Sequence, residues 1–138
     1  MKIQKTTSVF LFVSGLATAV IGLGGLFAPE LLAAPLGFAL DNASARNEFR
    51  ANYGGMLFLL GGLTAMGARR REWHGPALAL ALCFSGGLVL GRLVSLLLGD
   101  GAPGLPLYIF GGIELLVATG AALLLRCRSA AVQGAGIS

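Results

Sequence analysis

Long apolar runs separated by short polar breaks set the rhythm of this chain. Residues 8–27 and 51–68 contain no charged side chain, residues 77–98 contain only Arg92, and residues 105–125 contain only Glu114. Runs of 18 or more apolar residues are long enough to cross a bilayer as helices. At 1.5 Å per residue these four reach roughly 27–33 Å, the thickness of the hydrocarbon core. The pattern predicts an all-α polytopic membrane protein, a bundle of four transmembrane helices forming one domain over residues 1–138. Allowing for polar helix ends, the spans are expected at 8–27, 48–68, 76–98 and 105–125. An interfacial segment is expected at 28–47 and an unstructured tail at 126–138. The first run follows Lys2 and Lys5 as a signal peptide would, but it is long for one. The prolines at 29 and 35 also suit cleavage poorly, so it reads as an uncleaved span.

The polar breaks orient the bundle. Lys2, Lys5, Arg69, Arg70, Arg71, Arg126 and Arg128 fall on one side if the spans alternate, and only Glu72 among the acids joins them. Basic residues flanking spans stay in the cytoplasm, so both termini are expected there, in a multi-pass protein of the bacterial inner membrane. The Arg69–Arg71 cluster is a topology anchor on this reading, Trp73 an interfacial anchor, and His74 a solvated loop residue. Glu30, Asp41, Glu48 and Asp100 collect on the opposite face.

The 28–47 connection begins PELLAAPLGF, too apolar for a free loop and too short to span. Pro29 fits the first turn of a short helix, which lies on the outer interface or forms a re-entrant lid over the bundle. The following DNASARNEFR reads as a helix start, with Asp41 or Ser44 as cap. Glycines recur at helical spacing: Gly15 with Gly22, Gly54 with Gly61, and Gly87 with Gly91. Such small-residue faces allow close helix contact in lipid. YGG at 53–55 returns as FGG at 110–112, and Arg69 and Arg71 map at the same offset onto Arg126 and Arg128, as two duplicated hairpins would produce.

Composition reinforces this picture. Hydrophobic residues make up 56% of the chain and charged residues 12%, about half the charge of a soluble domain. The net charge of +4 is accounted for by topology, and nucleic acid is not an expected partner. Cys83 and Cys127 form no CxxC or His/Cys metal spacing, so neither metal nor cofactor is expected.

Two charges lie within spans, where they cost about 2.5–3.5 kcal/mol each on insertion scales and usually face a partner. Arg92 is about 9 Å from the outer end of its span and Glu114 about 14 Å down its own. Arginine can snorkel outward, whereas glutamate is too short. Glu114 must therefore find a donor, bind water or stay protonated, and Arg92 and Arg50 are the expected inward partners. Asp100, in the turn GDGAPG, could hold an arginine from the rim. Glu48 pairs by spacing with Asn52. The candidate catalytic set is Glu114, Arg92, Arg50, Asp100 and Glu48, with Asn52, Tyr53 and Ser95 as candidate ligand-binding residues.

EFRANYGG at 48–55, GRLVSLLLGDGAP at 91–103 and Glu114 together resemble a family of small bacterial membrane proteins known as domain of unknown function 4345. The resemblance covers nearly the whole chain and implies a four-helix inner-membrane bundle without a defined activity. Similarity to DoxX-like four-helix proteins is weaker. Small multidrug exporters are of similar size but carry their membrane glutamate in the first span, which here has no charge.

Three readings of the polar cluster follow. It can organise a membrane accessory protein that binds a lipid or other apolar ligand. It can serve an intramembrane acid/base enzyme, of the isomerase, cyclase or epoxide-opening type, acting on an apolar substrate. It can belong to a proton-coupled small-molecule transporter. The expected partners are the bilayer, an apolar small molecule or lipid, and a second copy of the chain or another membrane subunit.

Overall fold

A computed structural model describes residues 2–100 and 104–135, with side chains through residue 130. Among the described residues the protein is entirely helical. Helix α1 covers Lys2–Phe27, α2 Pro29–Ala33, α3 Ala43–Phe49, α4 Leu57–Gly67, α5 His74–Leu98 and α6 Leu105–Ala135. Three helical stretches, Lys2–Phe27, Arg71–Leu98 and Leu105–Ala130, are long and apolar enough to cross a membrane. The second expected span is also helical, but composite. A π-helix over Arg50–Met56 joins α3 to α4, so the backbone is helical from Ala43 through Gly67.

Helix α1 packs chiefly against the π-helix and α4, and α5 against α6. The first pairing is backbone on backbone. A Cβ on Gly15 would overlap Ala65 and the carbonyl of Gly61; one on Gly22 would overlap Phe58 and the carbonyl of Gly54; one on Gly61 would overlap Ala19. The seven-residue glycine spacing thus performs the close-contact role read from it. Gly87 and Gly91 do not: nothing lies within 4 Å of a Cβ at either, and both are exposed. Their GxxxG face is turned away from the bundle.

The connection between α1 and α3 contains the expected short helix. Pro29 starts α2 and is buried, a 3-10 turn follows at Ala34–Leu36, and Gly37 takes a left-handed φ of 79° to end it. Asn42 caps α3, its Oδ1 accepting from the Ala45 backbone N–H at 2.9 Å, in place of the expected Asp41 or Ser44. Asn42 is the residue with the extended backbone that lets a side-chain oxygen reach the first turn. At the other end, residues 126–135 extend α6 rather than forming a loose tail. Arginine and alanine continue a helix readily there, and Arg128 is tied down as described below. Residues 136–138 of the expected tail lie outside the described residues.

The core sits toward the end carrying both termini. Leu11 from α1, Ala77, Leu78 and Ala81 from α5, and Ala121 from α6 are buried together. Outside this core the surface is apolar. Phe27 is 82% exposed and Leu97 86%, an arrangement suited to lipid and costly in water.

Candidate functional site: an interhelical ion pair and the polar groups around it

Glu114 and Arg92 meet across the α5–α6 contact. Arg92 Nε donates to Glu114 Oε2 at 2.6 Å and Nη2 donates to Oε1 at 2.7 Å. This fork-on-fork geometry is the strongest form of arginine–carboxylate contact. The Glu114 side chain is 14% exposed and that of Arg92 32%. Gly111, one turn from Glu114, supplies the room. A Cβ there would stand 3.2 Å from Arg92 Cδ. Ala118 and Ala121, on the same face of α6, are buried, so α6 approaches through a small-residue stripe centred on the carboxylate.

Arg50 does not join this pair. Its Nε donates to the carbonyl of Leu26 at 3.1 Å. The reason is the helix pairing: the π-helix that carries Arg50 lies on α1, whereas Glu114 faces α5. Asp100 does not hold an arginine either. It accepts a 2.7 Å hydrogen bond from Ser95 Oγ. Gly99, with φ of 75°, turns the chain back so that its own N–H reaches the Leu96 carbonyl and the Asp100 N–H reaches the Ser95 carbonyl. This is a Schellman closure, and it folds Asp100 over its own helix end. Glu48 does pair with Asn52, whose Nδ2 donates to Glu48 Oε1 at 3.3 Å and to its carbonyl at 3.0 Å. Tyr53 stacks on Phe49 with ring centroids 4.6 Å apart, and Phe38 from the connection closes on both. Of the five candidate catalytic residues, only Arg92 and Glu114 are joined to each other. Arg50, Glu48–Asn52, Tyr53 and Ser95–Asp100 have separate partners.

Two polar features lay outside the sequence reading. His74, expected in solvent, is 1% exposed. Its Nε2 lies 3.2 Å from Ser8 Oγ and 3.4 Å from the Ala68 carbonyl, and its Nδ1 lies 3.3 Å from Arg128 Nη1. A guanidinium has only donors, so Nδ1 accepts and the ring proton sits on Nε2. Arg128 also donates to the Arg71 carbonyl at 3.3 Å. One imidazole therefore ties α1, the end of α4 and α6 to the start of α5. The second feature is a central cavity of about 20 Å³, bordered by the hydroxyl-bearing Ser14, Thr18, Thr64 and Ser85. That volume holds about one water. Ser14, Thr18 and Thr64 each donate to a carbonyl one turn back at 2.7–2.9 Å, so their remaining lone pairs can only accept. Ser14 and Thr18 share a face by their spacing, which is the one sequence signal pointing to this cavity. Nothing local to His74 announces its burial.

The family model for a domain of unknown function, DUF4345, matches residues 6–125. The chain belongs to the DUF4345 family. The match takes in α1 through most of α6, so the Arg92–Glu114 pair and the glycine contacts all lie inside the DUF4345 region. No curated protein and no solved structure matches the chain.

Proposed function

We propose that this DUF4345 protein is a four-span inner-membrane bundle with both termini in the cytoplasm. On this reading it acts as a small accessory protein that binds a lipid or other apolar ligand at its outer end. The bidentate Arg92–Glu114 contact carries the reading. Both carboxylate oxygens are engaged, so the pair serves as a register lock between α5 and α6. The placement of Lys2, Lys5, Arg69–Arg71, Arg126 and Arg128 supports the orientation, and the helical continuity of residues 43–67 supports the second crossing.

Two measurements test it. With Cys83 and Cys127 replaced by serine, Asn42→Cys should react with an impermeant maleimide in intact spheroplasts and Arg70→Cys only after lysis. The opposite pattern rejects the orientation. Glu114→Gln should lower the unfolding temperature in detergent. A variant as stable as the parent that loses a cellular phenotype rejects the structural role of the pair.

The central cavity favours a second reading, an intramembrane acid/base enzyme. Val117 borders that cavity one turn inward of Glu114, so a water there lies within about 5 Å along α6 of the carboxylate's turn. Under this reading Glu114→Gln abolishes turnover without changing stability, the reverse of the first.

A further inference from the structure

The outer end of the molecule holds two arginines that the Arg92–Glu114 pair does not use. Arg46 on α3 and Arg50 at the start of the π-helix are four residues apart and border one open cleft of about 520 Å³. Like charges at this spacing repel, yet among the described residues neither has a carboxylate within salt-bridge distance; the two ion pairs found are Arg70–Glu72 and Arg92–Glu114. Each is instead fixed by a backbone carbonyl. Arg46 Nη1 donates to Leu40 O at 3.0 Å and Arg50 Nε donates to Leu26 O at 3.1 Å. These contacts use one nitrogen of each guanidinium and leave Nη2 of Arg46 and both Nη groups of Arg50 with donors to spare. Asn47, also on the cleft, adds an amide that can donate or accept.

The remaining wall is apolar and small: Leu26 from the end of α1, Ala43 from α3, and Ala51 and Gly55 from the π-helix. The wider turn of a π-helix is often found at binding sites. Here it places Arg50, Ala51 and Gly55 on the same cleft. A preformed pair of cations beside an apolar wall, near the exposed Phe27 at the end of α1, suits a molecule with an anionic oxygen-rich head and a hydrocarbon body.

We propose that Arg46 and Arg50 form a binding site for a phosphate-bearing headgroup, with Leu26, Ala51 and Gly55 receiving the start of its apolar chain. The proposal rests on the lipid-binding reading above and names the chemistry of its ligand. The arginines supply charge-assisted hydrogen bonds to phosphate oxygens, and Asn47 discriminates by hydrogen bonding to a polar group beside the phosphate.

Native mass spectrometry of the full chain, released from nanodiscs containing equal amounts of phosphatidylglycerol and phosphatidylcholine, tests this. The parent protein should retain phosphatidylglycerol preferentially. The R46Q/R50Q variant should lose that preference by about tenfold or more, R46K/R50K should recover part of it, and R69Q/R70Q, at the opposite end, should match the parent. Because Arg50 also braces α1, a variant-free arm is included: raising salt from 50 to 500 mM should weaken phosphatidylglycerol retention by the parent. Competition by inorganic phosphate at millimolar concentration would show that the phosphate alone suffices. Its failure to compete, with the lipid preference intact, would show that the chain attachment is required. Equal retention of both lipids by the parent and R46Q/R50Q overturns the anion site while leaving a less selective lipid-binding role. Retention of no lipid by any variant overturns both.

Discussion

The two helix pairs of this bundle are held together in opposite ways. The α1–α4 pair meets through glycines at near-contact backbone distance, with no charge at the interface. The α5–α6 pair is joined by one bidentate ion pair, and the glycines Gly86, Gly87, Gly91 and Gly112 face open space. Lipid tails are as apolar as leucine side chains, so burial alone drives little association between spans. What remains is van der Waals packing, which needs many small residues in register, or a polar contact, which needs only one good pair. The α1–α4 pair relies on the first, and the α5–α6 pair adds the second to its small-residue stripe. A packed face tolerates no added atom, whereas an ion pair tolerates atoms nearby but not the loss of a partner.

The largest effect should come from adding atoms to the packed face. Gly22→Val drives a side chain into the backbone of Phe58 and should cost more than about 3 kcal/mol or prevent assembly altogether. Thermal unfolding in detergent reads it directly, and a variant of near-parental stability would dissolve the contrast between the pairs. Next in size is Arg92→Leu, which leaves Glu114 without its donor and should cost about 3 kcal/mol. Arg92→Leu/Glu114→Leu should recover much of that loss. Additive single effects in the cycle would mean that the two side chains are not coupled.

His74 joins the hairpins, so His74→Ala tests the link between them. Removing it takes the imidazole partner from Ser8 and from Nη1 of Arg128 and should cost about 2 kcal/mol. The expected signature is faster hydrogen exchange at the terminal turns of α1 and α6, with the Gly15 to Gly61 contact region unchanged. The smallest effect belongs to the open glycines. Gly87→Ala meets nothing and should be neutral or stabilise α5 by up to about 1 kcal/mol, the ordinary helix-propensity gain. A loss of stability there would mean that another surface covers this face in the membrane.

Most of the architecture was legible because lipid imposes it through properties that individual residues carry. Uncharged runs announced the helices. The glycine period identified the α1–α4 face, and the depth of Glu114 demanded a cation, for which Arg92 was one of two candidates. Arg50 was the alternative, and no local property separates the two. Which arginine reaches the glutamate depends on which helix lies beside α6. The same holds for Gly87 and Gly91, which share a helix face as Gly15 and Gly22 do but whose face has no helix against it.

Asp100 and His74 show the remaining gap. A left-handed glycine folded Asp100 onto Ser95, and packing of three helix ends enclosed a histidine that sits among four charged neighbours in sequence. By itself the sequence determined the helical class, the apolar spans and the need to neutralise a buried carboxylate, since hydropathy and insertion cost follow from composition along a single segment. Only the tertiary structure decided which segments became neighbours. It paired Glu114 with Arg92, laid Arg50 on the Leu26 carbonyl of α1, and buried His74. Those choices depend on the relative rotation and register of whole helices, which no single stretch of the chain contains.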